Sequence, residues 1–173
     1  EFEAMDLNGD KAKSEMKIKV SGMSNAITVK SDISSDQTWE TDKTYVLTEK
    51  ISVLPGATLT LQKGVIVKFG VRDGDKIPLL AIERGAKINA IGTSAKPIVF
   101  TSNRSQKKAG DWGGIVVLGD APINKFGNVG SYNMDLDPTL TTYGGDNVAS
   151  NSGILRFVRL EFAGKKVKGL DTF

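Results

Sequence analysis

The sequence predicts an all-β fold in which short parallel strands stack as a β-solenoid, and three observations predict it. The first is a repeat. Ile51–Leu61 realigns without a gap onto Leu80–Ala90 at an offset of 29 residues, placing Gly56 on Gly85 and Leu59 on Ile88. The second is strand length, since from Thr44 onward apolar residues alternate in runs of three to five, separated by Gly-containing corners, with no sustained 3.6-residue period. The third is glycine, 19 of 173 residues, or about 11% against a usual ~7%, which is enough to turn the chain repeatedly. A self-similar period between 20 and 50 residues marks an array, because a single coil cannot bury its apolar side chains without a neighbour stacked on it. With no helix in the repeat, a parallel β-helix fits better than a leucine-rich or ankyrin array.

In chain order, residues 1–20 read as a β-hairpin. Phe2 and Ala4 alternate, Leu7-Asn8-Gly9-Asp10 supplies the turn, and Met16, Ile18 and Val20 alternate with Lys17 and Lys19. The pattern Ala4-x-Asp6-x-x-Gly9-Asp10 followed by an alternating strand resembles the last two strands of an Ig-like sandwich module. Residues 21–43, rich in Ser, Thr, Asp and Asn, read as a polar linker and N-terminal cap interrupted by the short strand Ile27-Thr28-Val29. Residues 44–173 then form the solenoid. After each copy of the repeat comes a further apolar strand, Val65–Phe69 and Pro97–Phe100, following an insertion of a few residues in the second copy. Gly114–Leu118 and Gly153–Leu160 continue the theme less regularly. Leu59, Leu61, Ile88, Ile98, Phe100, Val116 and Leu118 are expected inside. Gly56, Gly85, Gly113 and Gly114 are expected at corners, and at 25–30 residues per coil the stack would make roughly five coils.

Composition excludes several classes of function. The chain has no Cys and no His, which removes disulfides, thiolate and imidazole metal ligands, Cys nucleophiles and any Ser-His-Asp arrangement. Catalysis would have to rest on Asp, Glu, Lys, Arg or Tyr. A net charge of +3 is too small a surplus to announce nucleic acid, and the basic clusters Arg104, Lys107, Lys108 and Lys165, Lys166, Lys168 lack interleaved aromatics, so both read as solvated corners. The longest apolar runs, Leu79–Ile82 and Ile115–Leu118, hold four residues each, where a spanning helix needs ~20. No transmembrane helix is expected.

Four constellations carry candidate chemistry. Asp6-x-Asn8-x-Asp10 has the first ligand spacing of a calcium loop, but Lys11 and Lys17 occupy the positions of its Gly and bidentate Glu, which rules out an EF-hand and leaves a capped turn. The long loop from Asn124 to Ser152 holds Tyr132, Tyr143 and Asp146 as ligand-binding candidates, with Asp135 and Asp137 as carboxylates that have the chemistry to hold calcium. The competing reading is a solvated turn-forming loop. Trp112, within Gly110-Asp111-Trp112-Gly113-Gly114, either presents a sugar-stacking face or packs at a coil corner. Arg156 and Arg159, read as one strand, point to opposite faces, so at most one of them could act as the base of a polysaccharide elimination, and Arg159 pairs with Glu161.

The ordered motifs from Trp39 to Gly164 resemble the right-handed parallel β-helix proteins of the bacterial cell surface, such as Bacteroidetes-type surface lipoproteins and secreted β-helix proteins. They include Val53-x-Pro55-Gly56-Ala57-Thr58-Leu59, Glu83-Arg84-Gly85-Ala86-Lys87-Ile88, Gly110-Asp111-Trp112-Gly113-Gly114 and Tyr143-Gly144-Gly145-Asp146. The resemblance implies a right-handed β-helix located outside the cell or at the outer-membrane surface, within a longer chain. It does not imply an enzyme. The expected role is non-catalytic, in adhesion, surface structure or ligand presentation, with polysaccharide or other surface proteins as partners and no cofactor beyond calcium. The alternatives are a polysaccharide-binding or lyase-like β-helix, and a cargo or component of an outer-membrane secretion or uptake complex.

Overall fold

The computed structural model describes residues 2–5, 11–14, 26–70, 77–131 and 138–165. At the N-terminus, β1 (Phe2–Met5) pairs antiparallel with β2 (Lys11–Ser14), so the hairpin closes on a strand earlier than the expected Met16–Val20, which lies outside the described residues.

From residue 27 the chain winds through three parallel sheets in rotation. The first turn holds β3 (Ile27–Val29), a single bridge at Ile33, and β4 (Gln37–Trp39). The second holds β5 (Thr44–Leu47), β6 (Ile51–Val53) and β7 (Thr58–Leu61). The third holds β8 (Ile66–Phe69), β9 (Leu80–Ile82) and β10 (Lys87–Ile91). The fourth starts with β11 (Ile98–Ser102) and β12 (Ile115–Val117), then leaves the stack. There β13 (Val129–Ser131), a single helical turn α1 (Pro138–Thr141) and β14 (Thr142–Gly144) form an excursion, with β13 and β14 antiparallel. The chain returns as β15 (Gly153–Arg156) and opens the next turn with β16 (Val158–Leu160). The sheets run β16-β11-β8-β5-β3, β12-β9-β6 and β15-β10-β7-β4, and all their pairings are parallel. This is a parallel β-helix.

The repeat survives as register. Ile51 pairs with Leu80 and Leu59 with Ile88, the same partners that the 29-residue offset aligns. Turn length grows along the chain, however: Thr44 pairs with Ile66, 22 residues on, Ile66 with Val99, 33 on, and Val99 with Arg159, 60 on. Counted from Thr44, the described residues make three full turns and open a fourth, fewer than the roughly five expected, because the excursion takes up the residues that another coil would use.

Alternation decides which side chains face inward. Leu59, Leu61, Val67, Leu80, Ile82, Ile88, Ala90, Ile98 and Phe100 are buried and form one continuous core. Phe69 stacks on Trp112, with ring centroids 3.8 Å apart and planes 4° apart, and lies 6.5 Å from Phe100. Trp39 stacks on Tyr45 at 4.4 Å below them. Val116 departs from expectation: it pairs with Ala81, so Ile115 and Val117 take the inward phase of Leu80 and Ile82, and Val116 is turned outward and half-buried. Leu118 is buried, but outside the continuous core.

The first two corner glycines sit in left-handed backbone, Gly56 at φ 86 and Gly85 at φ 84, and the Gly56 amide donates to the Gly85 carbonyl at 3.1 Å. Gly113 serves by close approach instead, since a Cβ there would lie 3.1 Å from that of Leu79; Gly114 holds φ 145. Phe157, at φ 51, breaks the chain between β15 and β16. Arg156 and Arg159 therefore belong to different strands rather than to one, and Arg159 pairs with Glu161 across the outer face.

Phe69 sits at the centre of the ring stack. Replacing it in Phe69→Ala should cost about 3–5 kcal/mol in chemical denaturation, by lost transfer energy plus an unfilled cavity. The outward-facing Thr60→Ala should stay within about 0.5 kcal/mol of the parent.

Candidate functional site

The excursion is the structural departure most able to carry function, since loops projecting from a rigid scaffold are where binding groups concentrate. The chain leaves at Leu118, whose amide donates to the Ile82 carbonyl at 2.9 Å, and returns at Ser152, whose carbonyl accepts from Ile88 N at 2.9 Å. A long insertion at a corner leaves the strand ladders intact, and closing a longer loop adds little entropy cost per residue.

What holds the excursion is a polar staple at its neck. Asp120 accepts the Ser150 hydroxyl on Oδ1 and Asn147 Nδ2 on Oδ2, the latter at 3.0 Å, while its carbonyl accepts Asn147 N at 3.2 Å. Gly144 N donates to the Gly119 carbonyl at 2.8 Å. Arg84, at the corner before β10, donates through Nη1 to the Gly144 carbonyl at 3.1 Å and so ties the hairpin to the previous coil. The Ser150 hydroxyl, then the Asn147 amide, hold the Asp120 carboxyl below the usual carboxylate range against the opposing effect of desolvation, and the Arg84 charge adds to the lowering. Beside this neck is a depression of about 390 Å³, lined by Pro55, Glu83 and Arg84 from the stack and by Thr139 and Thr142 from the excursion.

The candidates separate. Tyr143 lies on β14 with its ring against Gly130, where an added Cβ would stand 2.9 Å from Cζ, and Lys125 Nζ sits 5.9 Å from its centroid. Asp146 is exposed and accepts Asn128 Nδ2 at 2.8 Å. These two share the excursion. Tyr132, Asp135, Asp137 and the Asp6, Asn8, Asp10 turn lie outside the described residues, and among those described no group of three or more acidic, His or Cys side chains stands ready for a metal ion.

Trp112 does not face a sugar. It is 0% exposed, flat against Phe69, with Nε1 donating to the Glu161 carbonyl at 2.8 Å. Its burial corrects the ligand-binding assignment, because a ring sandwiched in the core has no free face. Next to it, Asp111 is buried. Desolvation pushes its carboxyl up, but the Lys108 amide, the Ser102 hydroxyl and the Arg104 charge together bring it below the usual range. Arg104 lies 3.4 Å from Asp111, and Lys107 Nζ donates to Thr101 Oγ1 at 3.2 Å while sitting 5.7 Å from the Phe162 centroid. This basic loop is pinned to the stack rather than merely solvated.

Sequence reasoning missed Arg84, Asp120, Asn147 and Ser150. One signal existed: Arg84 stands where the aligned repeat has Pro55, a charge at a corner that packing alone would not place. Asp120 and Ser150 are 30 residues apart and nothing in the sequence links them.

A second surface is the outer face of the β4, β7, β10, β15 sheet. Thr38, Thr60 and Asn89 form an outward row in register, one per coil and so ~4.8 Å apart. At the corner leading to the next sheet the row meets a groove of about 480 Å³ lined by Thr41, Gln62, Lys63, Ile91, Gly92 and Thr93 among others, in which Gln62 Oε1 accepts both Thr41 N, at 2.9 Å, and Thr41 Oγ1, at 3.0 Å. No helix among the described residues is long and apolar enough to cross a membrane.

A family described as a pectate-lyase-like β-helix domain matches residues 31–173. No curated protein and no solved structure matches the chain.

The neck staple is acid-sensitive in a defined direction. The folded pKa of Asp120 lies below its unfolded value, so its contribution is complete above the unfolded value, near 3.9, and is lost as pH falls through the lower folded one. Hydrogen exchange at the Gly144 and Asn147 amides should therefore stay slow at neutral pH, and Asp120→Ala should speed it on the order of tenfold while the β7 and β10 amides keep their protection.

Proposed function

The chain belongs to the pectate-lyase-like β-helix domain family, and from that footing we propose that it is a non-catalytic, cell-surface or secreted β-helix segment whose excursion presents a ligand-binding surface. One observation supports this reading above the others: Asp120 and Arg84 at the neck, and Asp111 and Glu161 on the stack, are each engaged with other groups of the chain. Asp120 secures the two ends of the loop, Arg84 donates to a main-chain carbonyl, and Asp111 and Glu161 are each matched by an arginine. A general acid or base must be within reach of a substrate proton and poised to exchange one, whereas Asp120 and Asp111 are both shifted away from neutrality and committed to internal donors. The staple instead does what display requires, holding Phe126 and Val148 out into solvent on a loop fixed to a rigid stack.

A second reading, a polysaccharide-binding β-helix, is favoured by the outer row Thr60 and Asn89 beside Lys63 and Lys87. The hydroxyl and amide carry no hydrogen bond and the two ammonium groups no ion pair among the described residues. Hydroxyls and amides that both donate and accept suit a hydroxyl-rich polymer, and the lysines suit one that carries carboxylates.

Incubation with polygalacturonate or alginate plus calcium, followed by absorbance of unsaturated products, should show no turnover above buffer. Measurable release would overturn the non-catalytic reading. Retention on the same polymers, weakened by salt and by Lys87→Glu, would favour the second reading over display by the excursion. Because both tryptophans are buried, at 3% and 0% exposure, intrinsic fluorescence should not change when either polymer is added.

A further inference from the structure

The depression beside the neck holds a charge that the fold itself leaves unanswered. Glu83 lines it and is 7% exposed, yet its carboxylate takes part in no hydrogen bond or ion pair among the described residues. Buried carboxylates are ordinarily paired, because taking one out of water without a donor costs stability. The coil geometry does not ask for one here. Glu83 N donates to the Val53 carbonyl at 3.1 Å as Leu54 N does to the Ile33 carbonyl at 2.9 Å. The two residues thus hold the same place on successive coils, and the lower coil fills it with an apolar side chain.

We propose that Glu83 is the anionic anchor of a small-molecule site between the stack and the excursion, and that its ligand carries a primary ammonium group flanked by oxygen acceptors. That chemistry is shared by an amino sugar and a free α-amino acid. At about 390 Å³ the depression has the size of a small-ligand site. A metal ion is a poor occupant, since a hard cation gathers several oxygen ligands, whereas Glu83 is the one carboxylate among the described lining residues and Arg84 adjoins it. A simple anion would face Glu83, and a polyamine would bring a second positive charge against Arg84. A single ammonium group answers Glu83 through a charge-assisted hydrogen bond, roughly twice as strong as a neutral one.

Oxygen atoms beside the ammonium answer Arg84, whose Nη1 is given to the Gly144 carbonyl and whose other N–H groups have no hydrogen-bond partner among the described residues. Pro55 supplies an apolar wall, and Thr139 and Thr142 supply a polar one from the excursion. Without a second carboxylate among those lining residues, the depression lacks the pair that glycoside hydrolysis uses. The inference deepens the display reading and rests on it in taking the excursion as a binding element; it does not depend on the outer row.

Titration of the isotope-labelled chain with D-glucosamine, with glycine and with D-glucose, at a pH where both amines are protonated, tests it. Saturable amide shifts centred on Glu83, Arg84 and Gly144 are expected with glucosamine or glycine, and none with glucose, which lacks only the amine of glucosamine. Whichever amine saturates names the source of the ammonium group. Glu83→Gln keeps the volume and removes the charge, so it should weaken binding on the order of tenfold. Glu83→Leu, which installs the residue of the coil below, should abolish binding, while the midpoint of chemical denaturation holds or rises for both variants. Absence of saturation by either amine, glucose binding as tight as glucosamine binding, or unchanged binding in both variants would overturn the proposal. So would a fall in the denaturation midpoint of both variants, which would give the carboxylate a folding role. The non-catalytic reading is decided by its own turnover assay, so the two fail separately.

Discussion

Each coil of this protein depends on its neighbour. A turn of three short strands encloses too little volume to remove its own inward side chains from water, and burial of a Leu, Ile or Phe, worth about 1.5–3 kcal/mol each, is realised only when the matching position of the next coil closes over it. The inward rows Leu59 with Ile88 and Val67 with Phe100 are therefore the interaction on which the rest depends. Parallel pairing follows from it, because only a translated coil brings like positions together. The stacked rings of Phe69 and Trp112 extend the same arrangement to a corner, where a flat aromatic fills what a strand residue leaves open.

That constraint acts on strands and leaves corners free. The chain can insert four residues between one pair of turns, or a whole excursion at another, provided it returns in register. The cost moves to the neck, where main-chain groups leaving the ladder need new partners. Asp120, Asn147 and Ser150 supply them, and Arg84 carries the connection to the coil beneath. The result is an excursion whose neck is tied by hydrogen bonds to the coil beneath.

The fold was legible because stacking writes itself into sequence as repetition. The 29-residue offset identified true strand neighbours, and Gly56 over Gly85 marked a real corner with left-handed backbone in both copies. Legibility failed where repetition lapsed. Val116 was assigned the wrong face because β12 has no gap-free counterpart in the repeat, and a one-residue change of phase exchanges inside for outside. Arg156 and Arg159 looked like one strand because nothing in the composition announces a left-handed phenylalanine between them. Trp112 is chemically able either to stack on a sugar or to fill a core, and only the position of Phe69 decides. The neck was hidden for a different reason: its partners meet through the fold, not through spacing.

The most direct measurement is a methyl and aromatic NOE experiment on the isotope-labelled chain, observing Leu59 with Ile88 and Phe100 with Leu160. These pairs are 29 and 60 residues apart, and the second spans the entire excursion. The stacked-coil account predicts strong contacts for both pairs and none for partners displaced by a single residue. A slipped register, or loss of the Phe100 to Leu160 contact while Leu59 to Ile88 remains, would contradict it, because the excursion would then not be looped out of a continuous stack.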